Sequence, residues 1–365
     1  MALTCGLIGL PNAGKSTLFR ALTTAPADIA PYPFTTITPN VGVVRVPDPR
    51  LDAIAQITRP ERVVPATLEL VDIAGLVRNA HKGEGLGNQF LARVREVDAL
   101  LHVVRCFGGQ AVHVEGGIDP LRDIEIVEAE LLLADLATVE RARAQVSGRA
   151  RVGNQAARDE DSVLAGLESS LGRGRPGRAF MAGGLTESAA QLVARLQLLT
   201  ARPVIYVANL PEADHAGGPC REAVERHAEA AGASAVGIYG KLELELSELP
   251  GAEAGQFLAA LGLSERGLPR LIRACYAALG LRTFFSIASG EVRAWTLPAG
   301  ARAAQAAGGI HTDMERGFIR AEVVAYEDLV ASGSLAAARE RGLVRLEGKD
   351  YEVRDGDVIT FRFAP

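Results

Sequence analysis

The chain has 365 residues, 48% hydrophobic and 23% charged, which are the proportions of an ordinary folded protein and exclude a disulfide-stapled miniprotein, a fibrous repeat and a disordered chain. With 39 basic against 44 acidic residues the net charge is −5, so no overall field draws it to nucleic acid or anionic lipid, and such a contact needs a local patch. At roughly 150 residues per domain the length suggests two or three domains.

The four cysteines, Cys5, Cys106, Cys220 and Cys275, lie far apart and form no CxxC pair. This predicts neither a zinc site nor a disulfide framework and is simplest in a reducing cytoplasm. No basic leader precedes the strand-like run Leu3–Leu10, and no apolar run reaches about 18 residues, so neither secretion nor a membrane partner is expected. Lysine occurs only at Lys15, Lys82, Lys241 and Lys349, which makes each one conspicuous.

In chain order, Leu3–Leu10, a helix from Lys15, Val41–Val46, Thr67–Asp72, a helix near Gly87–Arg95 and Ala99–Val104 alternate as strands and helices do in an α/β parallel sheet. The pattern resumes with the buried-strand run Pro203–Asn209, the helix Arg221–Ala231 and the strand Ala235–Tyr239, so an insertion splits the sheet. That insertion opens with Ile124–Val146 and closes with Ser188–Leu199, both apolar at helical spacing. The polar stretch Ser147–Gly184 lies between them, and a long antiparallel helical arm is the simplest arrangement, with Gly172–Gly177 (GRGRPG) in its tip or connection. After Gly280 come short alternating runs at Thr283–Ile287, Glu291–Leu297, Phe318–Val324, Leu343–Leu346 and Val358–Phe363, with DG and GKD turns and a helical stretch Tyr326–Arg341, preceded by the helix Leu268–Leu279. These read as a small α+β domain. The expected division is therefore 1–123 and 201–280 for the sheet domain, 124–200 for the insertion and 281–365 for the last domain.

The stretch Gly9-Leu-Pro-Asn-Ala-Gly14-Lys15-Ser16 matches GxxxxGK[ST] between a strand and a helix, which is the setting a phosphate-binding loop requires. Its amides would surround the β-phosphate, Lys15 would reach the β and γ oxygens, and Ser16 would ligate Mg²⁺. Thr36, in Tyr32-Pro-Phe-Thr-Thr36, falls where a switch threonine holds the metal. Asp72 of Asp72-Ile-Ala-Gly75 would hold it through water, while the Gly75 amide senses the γ-phosphate. Where a small GTPase carries glutamine to orient the attacking water, this chain has Leu76, so help must come from elsewhere. Candidates are the loop Asn79–Asn88 with His81, and His113.

After the strand Val204–Ala208 the guanine-reading pattern Asn-Lys-x-Asp is replaced by Asn209-Leu210-Pro-Glu212. Losing the aspartate that accepts from guanine N1–H and the 2-amino group removes the main discrimination for GTP, so the site leans to ATP.

These stretches, together with GLPNAGKSTLF, PFTTITPNVGVV, VDIAGLVRNAHKGEGLGNQFL, HVVRCF, EVRAWTL, AAGGIHTDMERGFIRAEVVAYEDL and EGKDYEVRDGDVITFRF, resemble the Obg-like ATPases of the YchF subfamily of TRAFAC-class P-loop NTPases over nearly the whole chain. The resemblance implies an ATP-preferring G domain with a coiled-coil-like helical insertion and a C-terminal TGS domain of ubiquitin-like β-grasp type. It further implies a cytoplasmic, monomeric ATPase associated with the large ribosomal subunit or the whole ribosome, acting in translation or stress adaptation. Carried over by residue, nucleotide contacts fall on Asn12, Ala13, Gly14, Lys15, Ser16 and Thr17, Mg²⁺ ligands on Ser16 and Thr36, base contacts on Asn209, Leu210 and Glu212, and the catalytic loop histidine on His113. Lys15 and Thr36 act with His113 in the chemistry. Where the family usually has a small Ser/Cys-Ala pair in the base-supporting loop, this chain reads Ile238-Tyr-Gly-Lys-Leu-Glu243.

Arginines 141, 143, 149, 151, 173, 175, 178, 316 and 320 are candidates for rRNA phosphate contact, with a solvated charged face as the alternative. Two other functional readings stay open: a GTPase in which Glu212 accepts from guanine, and a binding module whose ATP is structural and whose turnover is incidental.

Overall fold

A computed structural model of the chain describes residues 3–23, 40–73, 75, 86–108, 117–152, 154–212, 218–249, 251–263, 265–288 and 290–364. Thr36, Leu76, His81, most of the loop Asn79–Asn88, and His113 lie outside the described residues. The chain divides into two compact units, residues 1–42 with 69–274 and residues 43–68 with 275–365. Residues 43–68 thus fall with the C-terminal elements, and the helical insertion falls with the sheet that it interrupts.

The first sheet has the order β2-β4-β1-β5-β6-β7, built from β1 (Thr4–Ile8), β2 (Val41–Arg45), β4 (Thr67–Asp72), β5 (Ala99–Arg105), β6 (Val204–Asn209) and β7 (Ser234–Ile238). Strands β4, β1, β5, β6 and β7 run parallel. Strands β5 and β6 are buried at every position, as central strands covered on both faces must be, which is why they read as unbroken apolar runs rather than alternating ones. Helices α1 (Lys15–Thr23), α3 (Leu86–Glu96), α8 (Pro219–Ala230), α9 (Gly240–Glu248), α10 (Gly251–Ala260) and α11 (Gly267–Ala278) belong to the connections. The phosphate loop follows β1, Asp72 ends β4, Asn209 ends β6 and Lys241 comes just after β7, so these residues gather at the C-terminal ends of the strands, where ligands of open parallel sheets bind.

The arm starts with α4 (Pro120–Arg151), which is capped by the Asp119 side chain accepting from the Arg122 amide and by proline in its first turn. It is followed by α5 (Gln155–Gly172), which packs back against it. The turn-back therefore lies some twenty residues before Gly172–Gly177, and that glycine-rich stretch is the connection into α6 (Gly177–Met181) and α7 (Glu187–Arg195). Helix α5 was hidden by its polar composition, yet Leu164, Leu167 and Leu171 recur at helical spacing and are buried with Val139, Val146 and Leu192. Arg143 bridges the two helices to Asp161 at 3.1 Å and Glu168 at 3.0 Å.

At the arm's root the buried Asp135 carboxylate accepts from the Leu199 and Thr200 amides, each at 2.8 Å, and from the Thr200 hydroxyl at 2.7 Å. Tyr206 of β6 donates its hydroxyl to Glu128 of α4. Arg178 and His227 stand 3.7 Å from the same carboxylate. A cluster of polar groups thus fastens the arm to the sheet that carries the site.

The second unit holds a sheet of order β11-β10-β12-β8-β9-β3, made of β8 (Leu281–Ala288), β9 (Glu291–Pro298), β10 (Phe318–Ala325), β11 (Arg345–Glu347) and β12 (Asp357–Phe363), with β3 (Arg62–Val64). It is mixed: β8 pairs antiparallel with β9, and β10 with β11 and β12, while β12 runs parallel to β8 and β3 to β9. Helices α2 (Pro49–Thr58), α12 (Ala303–Ile310), α13 (Thr312–Arg316), α14 (Tyr326–Ser332) and α15 (Leu335–Glu340) complete the unit. Its core is formed by Phe284, Leu297, Ala303, Ala307, Val323, Ile359 and Phe361. Arg50 of α2 pairs with Asp48 and with Asp355 at 2.8 Å each, and Asp355 also accepts from the Thr283 amide. The fold class is the one expected, a P-loop α/β sheet with an inserted helical arm and a C-terminal α+β domain. No helix among the described residues is long and apolar enough to cross a membrane.

The expectation of unpaired cysteines is corrected: Cys106 and Cys220 form a disulfide across 114 residues of sequence. Sequence separation hid a closeness that the fold creates, because Cys106 follows β5 and Cys220 lies in the first turn of the helix after the neighbouring strand β6. Cys5 and Cys275 are buried and take no part in this disulfide.

Candidate functional site

Residues 9–14 join β1 to α1 through conformations that the sequence dictates. Gly14 has φ +92°, and a Cβ there would sit 2.2 Å from Asn209 Nδ2. Gly9 has φ +143°, and its Cβ would lie 2.4 Å from the Val103 carbonyl. Both positions therefore require glycine, for backbone conformation and for close approach. Asn12 also has positive φ, at 62°, a region asparagine tolerates better than most residues. Ala13 is buried, Thr17 half-buried, and Asn12 and Ser16 are exposed, so the loop presents its rim to solvent and anchors its base in the sheet.

Lys15 opens α1 and is only 7% exposed. Its ammonium donates to the carbonyls of Gly9 at 3.1 Å and Leu10 at 2.8 Å, so it lies folded into the loop it serves. Burial pushes its pKa down from 10.5 to about 8, and the nearby charge of Asp72 opposes that fall only partly. A cation held in this way gains a partner when a phosphate arrives.

Ser16 donates its hydroxyl to the Asp72 carboxylate at 2.9 Å. The two expected metal-binding side chains on described residues are therefore in contact, although 56 positions separate them in sequence. A hydroxyl and a carboxylate are hard oxygen donors, the kind of set that suits Mg²⁺ with water and phosphate oxygens completing its shell. Gly75 packs against the same group: a Cβ there would lie 3.2 Å from Lys15 Nζ and 3.2 Å from the Pro11 nitrogen. Lys15, Ser16, Asp72 and Gly75 thus converge.

On the other side, Asn209 at the end of β6 is buried and joins two loops. Its Nδ2 donates to the Ala13 carbonyl at 3.0 Å, and its Oδ1 accepts from the Gly240 amide at 3.0 Å. Its own carbonyl accepts from the Cys106 amide at 2.9 Å. Leu210 is 4% exposed and belongs to the core beneath Gly237, so what it contributes to the base side is packing rather than an open apolar face. Glu212 meets Lys241 at 3.2 Å, and Lys241 also lies 3.6 Å from Glu245.

Two features escaped the sequence reading. Lys241 is conspicuous in the sequence for the scarcity of lysine and sits in a loop that departs from the family pattern; neither signal gives it a role, yet it is the side chain that meets Glu212. The buried Glu243 accepts from Arg266 Nε at 3.0 Å and from the Gly267 amide, which ties α9 to the start of α11 and accounts for a glutamate buried there. His102 of β5 is buried, and desolvation, then His227 and Lys15, pushes its pKa down to about 3. It is a neutral core residue.

Residues 4–139 match the MMR_HSR1 family, described as 50S ribosome-binding GTPase, and residues 281–364 match YchF-GTPase_C, described as a protein of unknown function (DUF933). The chain is 49% identical to the ribosome-binding ATPase YchF of Bacillus subtilis over 367 residues, covering 100% of both chains. It is 50% identical to the protein of the same name from Haemophilus influenzae, covering 100% of this chain and 99% of that one. The solved Schizosaccharomyces pombe YchF GTPase superposes with a TM-score of 0.88 at 34% identity, over 99% of this chain and 97% of that one. With the phosphate loop, the Ser16–Asp72 pair and the Asn209 bridge in place on a sheet of this order, and with relatives this similar along the full length, the chain belongs to the YchF family of P-loop nucleoside triphosphatases.

Proposed function

We infer that the protein is a ribosome-binding, Mg²⁺-dependent ATPase. The observation that carries the reading is the convergence of Lys15, Ser16, Asp72 and Gly75 at the end of the parallel sheet. The full-length relatives, named as ribosome-binding ATPases, support ATP and the ribosome as its ligand and partner. The amides of Asn12 to Thr17 would bind the phosphates, Lys15 would carry its charge to the β and γ oxygens, and Ser16, Thr36 and Asp72 would hold the metal. Mg²⁺ would supply charge neutralisation on the β- and γ-phosphates. Leu76 offers no hydrogen bond to the attacking water, so His113 is assigned to position it. Asn209, Leu210 and Glu212 form the base side.

The large subunit or the whole ribosome is the docking partner, the arm and C-terminal arginines contact rRNA phosphates, and the protein works as a cytoplasmic monomer in translation or stress adaptation. The domain assignment goes with this function: a G domain of residues 1–123 and 201–280, a helical insertion of 124–200 and a TGS domain of 281–365.

The test is single-turnover hydrolysis of ATP at saturating Mg²⁺, with and without ribosomes, on the wild type and on His113→Ala. The expected result is a slow basal rate, faster with ribosomes, and a lower chemical rate in the variant with Leu76→Ala unaffected. A wild-type rate in His113→Ala removes that residue from the chemistry, and turnover indifferent to ribosomes favours a binding module with structural ATP.

A further inference from the structure

We propose that a cavity at the root of the arm is a binding site for a small aromatic carboxylate, separate from the nucleotide site. It encloses about 290 Å³, roughly twice the volume that holds one benzene ring, so it takes a two-ring body.

Strands β1, β5 and β6 lay its apolar floor with Ile8, Leu100 and Val204, and α4 adds Leu131 and Leu132. The walls contributed by α6 and by the end of α8 carry Ala179, Ala230 and Ala231, side chains too short to fill the space. The surrounding backbone is held in place. The Gly177 amide donates to Thr200 Oγ1 at 2.8 Å, and that hydroxyl donates in turn to the buried Asp135 of α4 at 2.7 Å. The cavity is therefore a built pocket with an apolar body and a few polar groups, the form that small-molecule sites take.

Its polar groups are left wanting partners. His102 lines the floor and is 2% exposed, and among the described residues no hydrogen bond reaches its ring. Burial, with the charges of His227 and Lys15 beside it, keeps that imidazole neutral, so it offers one N–H donor and one acceptor nitrogen. Leaving such a group unpaired is costly, and a polar ring atom of a ligand would pair it. The Arg178 Nε and the His227 Nε2 are also buried without a hydrogen-bond partner. The one carboxylate lining the cavity, Glu128, accepts from the Tyr206 hydroxyl and stands 3.7 Å from both Arg178 and His227, beyond hydrogen-bond reach. With Arg175 at the exposed rim, two guanidinium groups face a single carboxylate, and the positive charge left over suits the carboxylate of a ligand. The Arg178 side chain is only 23% exposed, withdrawn from the phosphates of a polymer but within reach of a molecule that enters the cavity.

The experiment titrates the full chain by calorimetry with indole-3-acetate, indole-3-acetamide, 1-naphthaleneacetate and acetate, each with and without saturating ATP. The expected result is one equivalent of indole-3-acetate bound with a Kd of roughly 1 mM or below, whether or not ATP is present. The acetamide lacks the charge that Arg175 and Arg178 meet, and the naphthalene acid lacks the ring N–H that the acceptor nitrogen of His102 takes, so each binds about tenfold more weakly. Acetate, with no ring for the apolar floor, gives no measurable heat. Arg178→Gln weakens indole-3-acetate binding by about tenfold, and Ala179→Phe, which puts a ring into the cavity, abolishes it. Ala231→Phe fills the same space from α8 and stands in should Ala179→Phe fail to fold, the fold of each variant being checked by circular dichroism and thermal melting. Absence of indole-3-acetate binding at roughly ten times that concentration, equal affinity for the acid and its amide, or binding that survives in a folded cavity-filling variant would overturn the site. Equal affinity for the two ring systems would strike His102 from it. Displacement of indole-3-acetate by ATP would overturn it too, by placing the acid in the nucleotide site, whereas a chain that binds no ATP at all would remove the nucleotide reading and leave the test of this cavity standing.

Discussion

The two ends of the nucleotide site are built on different principles. At the phosphate end the working groups are backbone amides and a lysine, and their placement follows from glycines that no other residue can replace: Gly14 has φ +92°, with Asn209 2.2 Å from where its Cβ would be. At the base end the working groups are side chains in pairs, Asn209 with two loops and Glu212 with Lys241, and an exposed pair can be exchanged one residue at a time. A phosphate is the same in every nucleotide, so the end that reads it has little room to vary. The base end is where a change in specificity can be made without dismantling the fold.

If that contrast holds, the largest effect comes from Lys15. Lys15→Ala should reduce ATP affinity by about a hundredfold or more, roughly 3 kcal/mol, while the nucleotide-free protein melts no lower than wild type, because the side chain removed is a poorly solvated cation. Titration calorimetry and a thermal scan on the same preparation check both halves. A variant that binds normally breaks the assignment of the phosphate end, and one that unfolds shows that Lys15 serves the core.

The fold was legible to the extent that local periodicity carries it. Strands β1, β5, β6 and β7 could be read because buried parallel strands leave largely apolar runs, β4 because Leu68 and Leu70 alternate with polar neighbours, and the phosphate loop because its glycines are required locally. Helix α5 was not, since its three leucines are diluted by polar neighbours. The short β3 was not either, because three residues of strand take their identity from the partner β9 rather than from their own pattern. At the site, Ser16 and Asp72 were legible from motif order. The Glu212–Lys241 and Cys106–Cys220 pairs were not, because each joins a residue just past a strand to one in the first turn of a helix elsewhere in the sequence, and only the assembled sheet brings the two together.

The next effect is a linked proton. In the nucleotide-free protein the Lys15 pKa is about 8, below its ordinary value of 10.5, so near pH 8 about half of this group is neutral. Phosphate charge restores the ammonium, and ATP binding at pH 8 should therefore take up about half a proton, falling toward zero near pH 6.5. Calorimetry in buffers of different ionisation enthalpy measures it. The sign for stability is the same: the unfolded chain holds the proton more tightly, so the nucleotide-free fold gains stability as pH rises from about 8 toward 10.5. Proton release on binding, or none at pH 8, contradicts the buried lysine.

Ser16→Ala sharpens the phosphate end further. Removing one oxygen ligand should reduce the Mg²⁺ enhancement of ATP binding by about tenfold and leave metal-free binding near wild type. A Mg²⁺ titration at fixed ATP separates the two. An unchanged Mg²⁺ dependence takes Ser16 out of the metal shell and leaves its bond to Asp72 as a structural one.

The smallest effect lies at the base end. Replacing Leu210 by lysine to imitate the guanine pattern is a poor test, because Leu210 is 4% exposed and a charge there enters the core. Lys241 offers the better handle. Its ammonium lies 3.2 Å from Glu212, and the carboxylate raises the lysine pKa, first through their hydrogen bond, so part of the acceptor capacity of Glu212 is occupied before any base arrives. Freeing and shortening that carboxylate, with Lys241→Ala and Glu212→Asp together, lets it accept from guanine N1–H and the 2-amino group. Adenine has neither donor on that edge. Because the pair is exposed to solvent, the shift should be modest, about threefold to tenfold in the ATP-to-GTP affinity ratio toward GTP. Lys241→Ala alone should move it less, and neither change should touch tripolyphosphate affinity. Competition binding of the two nucleotides at saturating Mg²⁺ gives the ratio. A wild type that already prefers GTP tenfold overturns the adenine reading, and a double variant with an unchanged ratio places the discrimination outside the Glu212–Lys241 pair.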